Sequence, residues 1–269
     1  MRTFILLLTL LAFGCTSCAH TKPKTWDPMG DSDAAYAQEL MQETVQVDHR
    51  VTVLVPDPDS MKEGMSPKDM KLVPRQTGGS GTGVVVAVSK DESLIVTAAH
   101  VCKPMETIKV EIFPGLALET PVLGEDYQVW TIDLDKLPAE VVTFDEEHDL
   151  CVMKVKGKAG KPAALVERHV PVGAKVTSVG SPLGFLNYHR AFVADGRYVG
   201  INYNAQTKEH TESVAVPTTN GCSGGGVFYQ GRLMGLMLSV NKQFEEIVRV
   251  QGDKPLQDII KKARGMWHQ

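Results

Sequence analysis

From Gly78 onward the chain is a succession of short segments rich in Val, Ile and Tyr: "GGSGTGVVVAVS", "SLIVTAAHV", "TIKVEIF", "AEVVTF", "DLCVMKV", "AKVTSVG", "GRYVGINYN", "ESVAVP", "GVFYQGRLMGLMLSV" and "EIVRVQ". Gly, Pro, Asn and Asp punctuate them. β-branched side chains suit the pleated, half-buried surface of a strand, and turn residues at near-regular spacing break the chain before a helix can propagate. Many short strands in a row restrict the fold to a β-sandwich or a barrel. "YQGR" reads as the hairpin turn between two of them. Helical character is confined to the flanks. Ala34 to Val47, "AAYAQELMQETVQV", reads as a short leading helix. Pro255 opens a second helix through "LQDIIKKAR", and Gly265 should close it. Between them, Asp57 to Pro74 is rich in Pro, Asp, Lys and Met and reads as an exposed loop.

The chain has 269 residues, 43% of them apolar and 22% charged, enough for one sizeable core or two small ones. The formal net charge is −4, with no basic cluster. Nucleic acid is therefore not an expected partner.

The first nineteen residues do not read as fold. Arg2 is followed by the apolar run Phe4 to Phe13, then by small residues in "GCTSCAH". A run of ten is too short to cross a bilayer as a helix but fits the core of a secretory signal. Two mature forms stay open. "LAFGC" resembles a bacterial lipobox, which would make Cys15 the lipidated residue and tether the protein to a membrane surface. Phe13 stands where a small residue is usual there, and Ala12 where Leu is preferred. Cleavage near Ala19 would instead release a soluble protein. Either way the expected location is outside the cytoplasm: a periplasmic, membrane-tethered lipoprotein or a secreted protein. Residues 20–50 then read as linker and leading helix, and 51–269 as the working domain.

Three cysteines remain in the body, Cys102, Cys151 and Cys222. The odd number leaves at least one unpaired within the chain. No CxxC pair exists among them, so neither a zinc site nor any other cofactor is expected, and the chain does not read as a disulfide-stapled framework.

Three segments stand out from the β background: "IVTAAHV" with His100, "HDLCVMKV" with Asp149, and "NGCSGGGVF" with Cys222 and Ser223 side by side. Each has an ordinary structural reading: a satisfied His, a turn Asp, a tight glycine turn. Together they fit one mechanism. A serine hydroxyl is a weak nucleophile and needs a base within hydrogen-bond reach. That base needs an acid to fix its tautomer and stabilise its cation. The chain order His, Asp, Ser is one of those known for this geometry.

"TAAH", "HDLCVMKV" and "GCSGGG" resemble the catalytic motifs of chymotrypsin-like (trypsin-fold) serine proteases, with a bacterial flavour of the HtrA/Deg type. "GSGTGVVV", "SVGSPLGF" with "GRYVG", and "GGGVFYQGRLMGL" resemble further segments of that family in the correct order. The likeness covers about residues 78 to 250, with little recognisable between Pro104 and Glu140. It implies an all-β fold of two six-stranded antiparallel β-barrels with a C-terminal helix: barrel one about 51–160, barrel two about 161–250, the helix about 255–265. It implies an endopeptidase with His100 as general base, Asp149 as its orienting acid and Ser223 as nucleophile. The N–H groups of Gly221 and Ser223 would form the oxyanion hole, and protein or peptide substrates would be the partners. In that register Cys222 is the neighbour of the nucleophile. Animal members carry Asp there to receive a new N-terminus on activation, so the resemblance implies no such switch here. Asp145, Glu146 and Glu147 read as a solvated loop.

For substrate selection the family register points to Pro217, where trypsin-like enzymes have Asp, and to a wall from "GLMLSV", with Leu238 where glutamyl-specific relatives have His. An apolar or small side chain before the scissile bond follows. Residues 241–269 are too few for the PDZ domain that usually follows in the HtrA group. Two other readings stay open: a protease-fold binding or scaffold protein with little turnover, and a hydrolase using Cys222.

Overall fold

The computed structural model describes residues 31–57, 70–113, 116–167, 169–182, 191–204, 209–240 and 247–267. The signal and lipidation readings at residues 1–19, Cys15 included, lie outside these. Among the described residues no helix is long and apolar enough to cross a membrane.

Two closed barrels account for the strands. The first comprises β1 (Thr44–Pro56), β2 (Leu72–Val88), β3 (Glu92–Ala98), β7 (Leu150–Lys156), β6 (Lys136–Asp145) and β5 (Leu116–Trp130), taken in order around the wall. It closes where β5 pairs with β1, and β4 (Thr107–Phe113) hangs as a hairpin arm on β5. The second runs β10 (Glu209–Ala215), β13 (Ile247–Gly252), β12 (Arg232–Val240), β11 (Gly226–Tyr229), β8 (Lys175–Gly180) and β9 (Phe192–Asn204). All ladders between neighbours are antiparallel, and closure leaves few unpaired edges. This is the chymotrypsin-like double barrel with a C-terminal helix.

The leading helix is shorter than its sequence suggests. α1 spans Asp31–Gln42, and "TVQV" from Thr44 belongs to β1. β-branched residues at alternate positions win there because Val45 and Val47 are fully buried between β2 and β5. At the other end of the loop, Leu72–Pro74 are strand rather than loop, paired with β1 from Val55↔Val73. The "YQGR" turn is a hairpin as expected: Gln230 and Gly231 both have positive φ, 52° and 75°, the two-residue geometry that matches strand twist.

The C-terminal helix α3 (Asp253–Trp267) passes through Gly265 instead of stopping there. Its buried residues, Leu256, Ile259, Ile260 and Ala263, recur at helical spacing and join the core of barrel one. Two bonds fix its last turn to the hairpin of β2 and β3: Arg264 donates to the Val86 carbonyl at 2.7 Å and Trp267 Nε1 to Glu92 Oε2 at 2.8 Å. α2 (Ala99–Cys102) is a single turn at the end of β3, and it carries His100.

Candidate active site

β3 and β7 are neighbours in barrel one, with Ala98 opposite Leu150. That pairing brings together His100, two residues past the end of β3, and Asp149, the residue just before β7. Asp149 holds His100 at two points. Its Oδ1 accepts the His100 backbone N–H at 2.9 Å, and its Oδ2 meets the ring Nδ1 at 2.8 Å. The Asp149 carbonyl also accepts the Ala99 N–H at 3.0 Å. Asp149 reaches all three from a left-handed backbone, φ 56°, which Asp tolerates better than most residues. With Nδ1 donating to the carboxylate, the lone pair of the neutral ring lies on Nε2. The His100 side chain is 49% exposed and that of Asp149 25%.

Two other acids of this loop, Asp145 and Glu146, have partners of their own. Asp145 accepts the His148 N–H at 3.2 Å and meets its ring Nδ1 at 2.8 Å, while Glu146 pairs with Lys103 at 2.7 Å. Burial pushes the Asp145 carboxyl up, but the bonds from His148 outweigh it and hold it below the usual carboxylate range.

Ser223 sits in the connection between β10 and β11. Residues Thr219 to Cys222 form a turn closed by the Cys222 N–H to the Thr219 carbonyl at 3.1 Å, with Gly221 at φ 92°. Positive φ at the third position alone defines a type II turn, which needs glycine there. The Gly221–Cys222 peptide is pinned at both ends, since Thr82 Oγ1 donates to the Gly221 carbonyl at 2.7 Å. Thr82 of barrel one is a hub: its N–H donates to the Ser223 carbonyl at 2.8 Å, and its hydroxyl accepts the Ser181 N–H at 2.8 Å. Among the described residues, neither the Gly221 N–H nor the Ser223 N–H has an acceptor.

The two adjacent candidates, Cys222 and Ser223, face different ways. Cys222 is free and 2% exposed. Its side chain packs in the core of barrel two with Val176, Tyr198 and Val227, so close to Gly180 that a β-carbon there would meet its Sγ at 2.9 Å. Ser223 is half-buried, and its Oγ donates to the Leu238 carbonyl at 3.4 Å. No hydrogen bond joins Ser223 Oγ to His100 among the described residues. The side chains of Leu236, Met237 and Leu238 are all buried. Strand β12 therefore offers Ser223 a carbonyl rather than an open apolar wall. Pro217 is exposed on the way from β10 to the nucleophile turn.

Sequence reading missed two features of the site. One is Thr82, hidden among glycines in "GSGTGV". The other is a disulfide between Cys102 and Cys151, each two residues beyond a catalytic candidate. The body is thus stapled once. With three cysteines no pairing could be read from spacing; the β3–β7 register supplies it.

A family model for the trypsin-like peptidase domain matches residues 81–236, which include His100, Asp149 and Ser223. The chain belongs to this family of serine proteases. Its fold is similar to the crystal structure of Rv3671c from M. tuberculosis H37Rv, a serine-to-alanine mutant in an inactive form. The TM-score is 0.57 at 15% identity, over 86% of this chain and 90% of that one. No curated protein matches the chain.

Proposed function

We propose that this protein is a serine endopeptidase that cleaves exported or extracellular polypeptides through an acyl-enzyme on Ser223. The observation that carries this reading is the double hold of Asp149 on His100, with two acceptor-free amides, Gly221 and Ser223, on the nucleophile turn. In this reading the Ser223 hydroxyl leaves the Leu238 carbonyl and turns to His100. His100 Nε2 then accepts the hydroxyl proton as Oγ attacks the scissile carbonyl. The oxyanion that forms is stabilised by the Gly221 and Ser223 N–H groups. The imidazolium, stabilised by Asp149, returns its proton to the leaving amine. Water, deprotonated by the same His100, then releases the acyl group. Pro217, exposed and in place of an acid, supports a small or apolar side chain before the scissile bond. The signal-like residues 1–19 support export, with or without a lipid on Cys15.

The test is turnover of an unfolded polypeptide by the purified protein. Wild type should cleave it, while Ser223→Ala and His100→Ala should not. Cleavage that survives both substitutions would refute the assignment. One observation favours the second reading, a protease-fold binding protein: the Ser223 hydroxyl is bonded to Leu238 and not to His100. That reading requires intact wild type to leave every peptide uncut.

A further inference from the structure

Arg249 carries a charge that no group of the protein answers. It stands in the middle of β13 and is half-buried. Its Nε is buried without a hydrogen-bond partner, and among the described residues no carboxylate or carbonyl meets the rest of the guanidinium. Arg50, Arg197, Arg232 and Arg264 each have an acceptor. A buried donor without a partner loses its hydration and gains nothing for it, and a charged one loses more.

The strand register shows which way this charge faces. Val248 and Val250, on either side of Arg249 in β13, are buried in the core of barrel two with Val214 of β10 and Met237 of β12. Side chains alternate along a strand, so Arg249 faces out of the barrel. Its cross-strand neighbours on that outer face are two serines, Ser213 of β10 and Ser239 of β12. Glu212, next to Ser213, is engaged with the inner core, where its Oε1 accepts the Tyr198 hydroxyl at 3.1 Å.

Ser239 places the charge relative to the nucleophile. It is exposed, and it follows Leu238, whose carbonyl accepts the Ser223 hydroxyl at 3.4 Å. Directly opposed residues of an antiparallel pair lie about 5 Å apart. The Arg249 stem therefore starts within about 12 Å of Ser223 Oγ, the span of three to four residues of extended chain. The proton path tells which half of a substrate comes there. His100, on barrel one, returns its proton to the leaving amine, so the leaving half lies toward barrel one. The acyl half stays over barrel two, beside β12 and β13.

We infer that Arg249 is a specificity residue whose guanidinium takes the carboxylate of an Asp or Glu two to four residues before the scissile bond. A planar fork of donors suits a carboxylate, and the acid supplies the counter-charge that the fold withholds. The residue at the bond itself remains small or apolar. This rests on the endopeptidase reading above.

The experiment uses quenched fluorescent peptides that differ at one residue, Glu, Gln or Lys, placed second, third or fourth before the scissile bond. For wild type, at one of these positions Glu should raise kcat/KM about tenfold over Gln, and Lys should lower it. The ratio of Glu to Gln should shrink as salt is added. In Arg249→Gln that ratio should fall to about one, and in Arg249→Glu the preference should pass to Lys. A merely structural arginine would alter all peptides alike and could not reverse the order. The wild-type comparison decides even where a variant fails to fold. Wild type that ignores Glu at all three positions, or a Glu preference that survives in Arg249→Gln, overturns the inference and leaves the peptidase reading standing. No turnover of any peptide by wild type sinks both.

Discussion

Asp149 grips His100 by backbone and ring at once, Oδ1 to the His100 N–H at 2.9 Å and Oδ2 to Nδ1 at 2.8 Å. The first bond fixes where the α2 turn stands, and the second fixes how the imidazole is turned and which nitrogen is basic. Asp149→Asn keeps the shape and tolerates the same left-handed backbone, but an amide can present its NH2 to Nδ1 and stabilise the wrong tautomer. kcat should fall by about 10³–10⁴-fold with little change in thermal stability. Steady-state kinetics beside a melting curve checks this; a loss below tenfold would contradict it.

Thr82 is fully buried and ties the nucleophile turn to barrel one through both Gly221 and Ser223. Thr82→Val keeps the volume but leaves the Gly221 carbonyl and the Ser181 N–H without their partner. A stability loss of about 1–3 kcal/mol is expected. kcat should drop more than KM rises, because the freed Gly221–Cys222 peptide no longer holds the turn. Thr82→Ser should restore most of both. Equal effects of Val and Ser would assign Thr82 to packing alone.

The fold was legible because its strands are short and β-branched and its turns glycine-rich, and because three motifs named their own chemistry. What escaped depended on distant pairing. "TVQV" after α1 has helical neighbours in sequence and becomes strand only because β2 and β5 flank it. Thr82 is one hydroxyl in a glycine run, and its four partners lie in Gly221, Ser223, Thr97 and Ser181. Cys102 and Cys151 are 49 residues apart and meet through the register of β3 and β7. The direction of the Ser223 hydroxyl, toward Leu238, is set by a side-chain torsion that sequence does not encode locally.

The Cys102–Cys151 link closes a loop of 49 residues that starts beside His100 and ends beside Asp149. The chain-entropy relation gives about 4 kcal/mol for such a loop. Both sulfurs are fully buried, so mild reductant should leave the native enzyme active. The paired change Cys102→Ala with Cys151→Ala should lower the melting temperature markedly, read by calorimetry. An unchanged melting temperature would mean the bridge contributes nothing.

Glu43, at the start of barrel one, is buried, and among the described residues its Oε2 has no hydrogen-bond partner. Burial, then the nearby Glu39, push its carboxyl up to about 7, with Lys161 partly opposing. The folded protein therefore keeps this proton up to about pH 7, while the unfolded chain releases it near 4.5. Between those values the native state binds more protons, so stability falls as pH rises through the window. Glu43→Gln should be the more stable form above pH 7, by on the order of 3 kcal/mol at most, and should lose that advantage below about pH 5. Denaturant melts at both pH values decide it; an advantage independent of pH would rule out the carboxyl as the cause.

Cys222 and Ser223 are adjacent, one sealed in the core of barrel two and the other half-buried with its hydroxyl on the Leu238 carbonyl. The direct measurement is labelling with a fluorophosphonate, followed by mass mapping of the adduct. Wild type and Cys222→Ala should both carry the adduct on Ser223, while Ser223→Ala and His100→Ala should stay unlabelled. An adduct on any other residue, or equal labelling of wild type and Ser223→Ala, would contradict the serine mechanism.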